Sequence, residues 1–540
     1  MIGRKSLIIA SSQIFARILG WLGIVILAKF WGGFAPEALG VIGFAIAFLS
    51  IFSIIGNLGF DLAHVKRVSE GQDLGTCIGT YITIKLMLIA LMFVAIFTGI
   101  YIWKYYLGGG FTDATTESVV YVFFVYYVFL TLRNISTFTF VGTKEIVKRQ
   151  IIMTFENIVK IPLMIFVVLA GVSIGTRVFV PPAFEWPDFL QPLQNFMSLH
   201  ALGSLAMAYV FGIITSFLIG VWFLRQYKIK KPTKLMAKRY FVFALPMMLI
   251  AVIGVISTNI DKIMIGYFWT KVEVGYYFTV QQVLEIITVL ALAVEAVLFP
   301  TLSEFHSLKN LKGIKNKTLQ AERYISMIIV PVVVVIIVLV KPVINIMLSG
   351  SFLPAAAVLI MLTLYAYLIS MMIPFSSLIG GVDRPSITAK ISIIVCLVNI
   401  LLNYLFIPEN GLLSYIGING PTGAAVATMI SGVVGFIGLR LAARKLTKIK
   451  ILQSHTPRHI IAGIIMGGIL FYLSGFVTDF RFYYLVAFAF LGLGIYLFLL
   501  FLLREFKKED FKFFLGIFNP KEMVKYVSSE LKSKPPKDKK

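Results

Sequence analysis

Residues 7–28 read LIIASSQIFARILGWLGIVILA, an apolar stretch of the length that one helix needs to cross a bilayer. About 20 residues rising 1.5 Å each match a hydrocarbon core of roughly 30 Å. Arg17 stands at its middle. An Arg at that depth costs at least ~2.5 kcal/mol on insertion scales, so its side chain is expected to face a protein interior or a wet cavity. Gln13 lies four residues earlier, and Ser6 and Gly20 continue the spacing, so one face of the helix is polar or small while the other is Ile and Leu. A structural ion pair and a substrate contact are both consistent with such an Arg; snorkelling is not easy from about ten residues of depth on either side.

The rest of the chain repeats the pattern. Of its 540 residues 59% are hydrophobic and 14% charged, with a mean hydropathy of +0.91, which excludes an ordinary soluble domain. Apolar runs of bilayer length recur about fourteen times, at 7–28, 40–62, 77–103, 119–141, 151–173, 201–224, 240–267, 274–300, 324–348, 354–380, 389–407, 421–443, 459–476 and 483–503. The first is longer than the core of a secretion signal and lacks a small-residue cleavage site, so it is expected to stay in the protein. The fold class expected is therefore an all-α polytopic membrane protein.

Charge orients it. Arg4 and Lys5, Lys66 and Arg67, Lys144 to Arg149, the run Arg225 to Arg239, Lys309 to Arg323, Arg384 and Lys390, Arg444 to Arg458 and the C-terminal tail all fall on one side. Most of the 49 Lys and Arg are there, which places that side and both termini in the cytoplasm of a multi-pass cell-membrane protein. The formal net charge of +24 is mostly this topology signal and implies no nucleic acid. Two cysteines, Cys77 and Cys396, and five scattered histidines support neither a disulfide framework nor a metal site, and no cofactor is expected. The outer loop 174–199, with its VPPAFEWPDF, suits a segment in the outer interface, and the tail from Arg504 suits an inner-leaflet helix ending in a disordered KPPKDKK run.

An internal repeat turns the list of helices into two lobes. KFWGGFAPEALG (Lys29 to Gly40) and YFWTKVEVG (Tyr267 to Gly275) share Phe-Trp and a Glu two or three residues before a Gly, and Ser69-Glu70 is repeated as Ser303-Glu304. The offset is about 235 residues in each case. Six helices separate the copies, an even number, so the repeats are parallel. The expected domains are an N-lobe at 1–228, a C-lobe at 229–450, two extra helices at 451–503 and a basic tail at 504–540.

Intramembrane polar residues concentrate in the first lobe. The second helix carries Ser50, Ser53, Asn57 and Asp61 as one stripe; Lys85, Arg133, Asn134, Glu156, Asn157 and Lys160 follow in the next three. In the second lobe Gln281, Gln282, Glu285 and Glu295 lie on the eighth helix. Four cations (Arg17, Lys85, Arg133, Lys160) against one midmembrane acid (Glu156) point to a cavity for an anion with a hydroxyl-rich part. Gln13, Asn57, Asn134, Asn157 and Gln282 would line it, and Glu156 or Glu285 would serve ion coupling. Glu156 and Lys160, at i,i+4, are equally spaced to neutralise each other, and Lys85 is near enough to the cytoplasmic surface to snorkel. Ala427, Ser431 and Gly435 form a small-residue ridge, and Pro162, Pro246, Pro331 and Pro374 mark kinks.

ARILG around Arg17, IDKIMIGYFWTKVEVGYY, FPTLSEF and NGPTGAAVATMIS together resemble the polysaccharide-transport branch of the multidrug/oligosaccharidyl-lipid/polysaccharide exporter superfamily, with its Wzx-type flippases. The resemblance implies two six-helix lobes around a cavity, alternating access, and export of a polyprenyl-linked oligosaccharide to the outer leaflet. It implies that Arg17 and other first-lobe cations hold the lipid's phosphate or diphosphate. A glycan so charged cannot cross hydrocarbon unaided, since each unsatisfied polar group costs several kcal/mol. The membrane potential favours outward movement of an anion by roughly 2.3 kcal/mol per charge per 100 mV. A multidrug exporter of the same superfamily would want an acidic, aromatic pocket, and a glycan polymerase or ligase would want acid-base groups in a sizeable outer domain. The other partners expected are membrane lipids and glycan-assembly enzymes, and no nucleic acid.

Overall fold

A computed structural model describes residues 2–106, 114–174, 177–179, 186–449 and 455–505; the side chains of residues 2–13, and with them Gln13, lie outside the described part, as do 180–185 of the outer loop and the tail from 506. The chain runs α1 (Ile2–Trp31), α2 (Ala35–Ser53), α3 (Phe60–Ser69), α4 (Leu74–Tyr105), α5 (Ala114–Gly142), α6 (Ile146–Ala170), α7 (Gln191–Leu199), α8 (Ala201–Leu224), α9 (Lys234–Phe268), α10 (Lys271–Ser307), α11 (Leu311–Val338), α12 (Val340–Met347), α13 (Ala356–Gly381), α14 (Pro385–Phe406), α15 (Gly420–Thr447), α16 (His455–Ser474) and α17 (Phe482–Leu502). Among the described residues the strands are β1 (Val172–Ile174) and β2 (Arg177–Phe179), paired antiparallel with Ser173 opposite Val178.

Each of the fourteen apolar runs overlaps α-helix, the second with a break at 54–59 and the fifth running on into β1. Twelve stretches among the described residues are long and apolar enough to cross a membrane; the first, Ile14–Ser53, takes in part of α1 and all of α2. Polar caps open several helices where the chain leaves water. Asp73 accepts from Thr76 N at 2.8 Å at the start of α4, Thr233 caps α9 and Asn310 caps α11.

The described residues fall into two compact units. One is Ile18–Phe278; the other takes the residues up to Arg17 and those from Thr279 on. In the first, α8 packs on α5 and α6, and α9 packs on α2, α3 and α4 around a core of Phe60, Tyr81, Leu88, Phe140, Ile152 and Tyr240. In the second, α15 packs on α13 and α14 and α16 on α11, with Leu302, Phe375, Leu378 and Leu439 in its core. The lobe boundary expected near residue 228 follows sequence symmetry, whereas these units are divided by which helices touch.

The second apolar run is not one helix. α2 ends at Ser53, the chain turns through residues 54–59, and α3 starts at Phe60. Leu58 (φ 41°) and Gly59 (φ 80°) both take left-handed backbone, which Gly59 adopts without strain and which a continuing helix cannot contain. A side chain at Gly59 would also press on the Ala244 carbonyl of α9. The polar stripe Ser50, Ser53, Asn57, Asp61 is thus interrupted, and Asn57 sits in the break. At Gly435 of the small-residue ridge a Cβ would come 2.9 Å from Met372 Cε, and at Gly432, outside the ridge, 2.6 Å from Tyr365 Cδ2, so α15 lies close against α13.

The repeat markers meet in space. A Cβ on Gly40 would overlap the Lys271 carbonyl, and one on its counterpart Gly275 would overlap the Pro36 carbonyl. The first turns of α2 and α10 therefore pack backbone to backbone, and Lys271 Nζ reaches Glu37 Oε1 at 3.2 Å beside them.

Candidate functional site

Arg17 is held by the residue expected to couple ions. Its Nη1 is 3.0 Å from Glu285 Oε2 and donates to the Glu285 carbonyl at 3.0 Å. The two side chains keep 29% and 43% of their surface, so the protein covers this ion pair only in part. Gln282 is half-buried one turn earlier on α10.

Arg133, Glu156 and Lys160 come together on α5 and α6. Arg133 Nη1 lies 2.6 Å from Glu156 Oε2, and Tyr126 Oη donates to Oε1 at 2.9 Å. Glu156 is thus neutralised by Arg133, 23 residues earlier, a pairing the i,i+4 spacing to Lys160 did not reveal. Lys160 Nζ sits 4.8 Å over the Tyr209 ring, close enough for a cation–π contact. Gly212 makes this possible: a Cβ there would meet the Glu156 carbonyl at 2.7 Å and Lys160 Cβ at 2.9 Å, so α8 and its Tyr209 approach α6 at the level of the charges. Arg133 Nε is buried and has no hydrogen-bond partner among the described residues, an open donor beside the pair. Asn157 is half-buried next to Glu156.

This geometry gives a test of the pair. Glu156→Gln alone leaves Arg133, whose side chain is 9% exposed, as an uncompensated buried charge, at a cost of ~3–5 kcal/mol. The double variant Arg133→Met/Glu156→Gln is expected to recover most of that loss. Thermal unfolding of the purified variants measures both; equal losses in single and double variants would remove the coupling.

Lys85 does not snorkel. Its side chain is fully buried, and Nζ lies 2.5 Å from Asp61 Oδ1 and donates to the Gly56 carbonyl at 2.7 Å. Tyr81 donates to the same carboxylate at 2.5 Å, and Asn134 Nδ2 stands 3.5 Å from Oδ2. Asn57 Oδ1 accepts from the Asp61 backbone N–H at 3.4 Å. Two of the expected lining residues, Asn57 and Asn134, therefore belong to this sealed group.

A further buried network lies in the second unit. Arg440 Nη1 pairs with Glu322 Oε1 at 2.6 Å, and Glu505 gathers Arg323 at 2.7 Å and Arg458 at 2.9 Å. These contacts fasten α16 and the end of α17 to α11 and α15. The signal available in sequence was weak, because Glu322 and Arg323 fall at the edge of their apolar run and read as loop. Among the described residues no group of three or more His, Cys, Asp or Glu is placed to hold a metal.

Long apolar helices with paired charges between them define a multi-pass membrane protein. Residues 2–306 fit the model of the polysaccharide biosynthesis protein family, and the chain belongs to that family. It is similar to the probable low-salt glycan biosynthesis flippase Agl15 of Haloferax volcanii, with 24% identity over 521 residues that span 95% of this chain and 98% of that protein. Its fold resembles that of the lipid II flippase MurJ in an inward closed conformation (TM-score 0.69, 19% identity, 92% of this chain and 99% of that one). It also resembles an inward-facing multidrug resistance MATE family transporter of the MOP superfamily (TM-score 0.60, 16% identity, 81% and 96% coverage).

Proposed function

We propose that the protein is a flippase that carries a polyprenyl-(di)phosphate-linked oligosaccharide from the inner to the outer leaflet of the cell membrane by alternating access, supplying cell-surface glycan assembly. The observation that carries this reading is the Arg17–Glu285 pair: a part-exposed cation in an apolar helix, held by a carboxylate that a phosphate can replace. Arg133, with its free Nε, and Lys160 are the next contacts for the diphosphate, and Gln13, Asn157 and Gln282 serve sugar hydroxyls. Lys85 is removed from the phosphate set by its sealed pair with Asp61. Both termini are cytoplasmic, the lobes divide near residue 228, and the work is transport without bond making or breaking. The relationship to a glycan flippase over almost the whole chain favours this over drug export, as does a site rich in Lys and Arg.

The test is reconstitution. Purified protein in vesicles with a polyprenyl-diphosphate oligosaccharide in both leaflets is expected to make the inner pool accessible to an impermeant glycosidase, where protein-free vesicles expose only the outer pool. Accessibility no greater than in protein-free vesicles would refute the reading.

A further inference from the structure

Between α6 and α8 the chain builds more than a connection needs. β1 and β2 pair antiparallel, and α7 packs on β1 and on α6. Trp186, which is buried, pins the segment in place: its indole N–H donates to the Leu169 carbonyl at 3.3 Å in the last turn of α6, and its ring centroid lies 4.6 Å from that of Phe166. α7 carries no charged residue, and His200 alone separates it from α8, a helix long and apolar enough to cross the membrane.

Around its axis α7 has three faces, about a third of a turn apart. Met197 and Ser198 are buried and, with half-buried Gln194, turn to the protein. Gln191 and Asn195 form the second face and are exposed. Leu193, Phe196 and Leu199 form the third and keep 43%, 59% and 67% of their surface. Phe189, four residues before Leu193 and 80% exposed, lengthens this apolar face. A polar strip beside an apolar one, on a helix whose remaining side is packed, is the pattern of a helix lying along a membrane surface. A spanning helix that faces lipid has no use for the polar strip, and a helix in water none for the apolar one.

We propose that α7 and the turn before it form a lipid-docking shelf of the first unit: the helix lies in the plane of the membrane surface, with Phe189, Leu193, Phe196 and Leu199 among the acyl chains and Gln191 and Asn195 at the headgroups. The occupant is lipid and not a partner protein because the apolar face runs straight into the end of a spanning helix, at the level of the bilayer surface itself. With no cation in α7, the shelf takes zwitterionic and anionic lipid alike, unlike the basic loops at the other ends of the helices. Trp186 ties it to α6 and His200 joins it to α8. It therefore sets how deep these two helices sit, and with α6 the depth of Glu156 and Lys160. On the orientation proposed above the shelf is in the outer leaflet; its contact with lipid does not depend on that orientation.

Depth and side are measured separately. Full-length protein with Cys77→Ala and Cys396→Ala, carrying bimane on one introduced cysteine, is placed in phosphatidylcholine vesicles. Lipid brominated near the headgroup end of its acyl chains should cut the emission of Phe196→Cys and Leu199→Cys by about half or more and leave Asn195→Cys nearly unchanged, while aqueous iodide does the reverse. Adding anionic phosphatidylglycerol should alter neither result. Iodide quenching of Phe196→Cys as strong as that of Asn195→Cys puts the apolar face in water and overturns the proposal. Protection from both quenchers overturns it too, because protein then covers that face. Leu199→Cys decides if Phe196→Cys does not fold. Impermeant maleimide on intact cells reads the side: labelling of Asn195→Cys without permeabilisation places the shelf outside, whereas labelling only after permeabilisation, with the bromolipid result unchanged, keeps the shelf and refutes the orientation.

Discussion

Arg17→Ala is expected to abolish export at matched expression while the protein remains inserted and monodisperse. The side chain is part-exposed and, among the described residues, its charge partner is Glu285, itself part-exposed, so removing it costs the fold little. Removing it from a bound phosphate costs far more: each charge-assisted hydrogen bond is worth ~1.5–3 kcal/mol, and a bidentate pair loses two, so transport falls by a factor on the order of 100 or more. Arg17→Lys keeps the charge without the planar fork and should retain part of the activity. Glu285→Gln removes the carboxylate that competes for Arg17 and should bind the diphosphate more tightly while releasing it more slowly. The measurement is the inner-to-outer ratio of lipid-linked oligosaccharide in cells carrying each variant. Full export by Arg17→Ala would make the residue structural and leave the pair without a role in transport.

The depth of Arg17 was legible from one line of sequence; its partner was not. Bilayer-length runs, loop charge and the repeat each leave a periodic trace, so the helices and the family could be read. Contacts between helices leave none. On α4 the buried face holds Tyr81, Lys85, Leu88, Met92, Ile96 and Ile100, and the outward face holds Leu86, Met87, Val94 and Phe97; both are apolar because lipid is as apolar as a protein core. Hydrophobic patterning therefore could not tell which way Lys85 points. The imbalance of four cations to one acid also dissolved on folding, because Asp61 and Glu285, read as the end of a stripe and a possible coupling group, face Lys85 and Arg17. The break in the second helix did leave a sign, the two glycines of IIGNLGF, which a reading centred on the polar stripe passes over.

Replacing Gly275 by Val is expected to cut export at least tenfold by preventing one closed state from forming. A Cβ at Gly275 would overlap the Pro36 carbonyl and one at Gly40 the Lys271 carbonyl; both obstacles are backbone, which cannot rotate aside as a side chain does. The first turns of α2 and α10 must then separate, and the Lys271–Glu37 pair at 3.2 Å opens with them. On the orientation proposed above this contact would lie at the outer end, and a transporter unable to make it would not seal that side while it loads from within. Carbodiimide, which joins an ammonium and a carboxylate only when they touch, provides the readout: wild type should give a Lys271–Glu37 cross-link by mass spectrometry, and Gly275→Val and Gly40→Val should lose it together with export. Gly254→Val serves as the control, since a Cβ there meets nothing within 4 Å, and it should retain both. Wild-type export by Gly275→Val without the cross-link would show that the cycle does not pass through this contact.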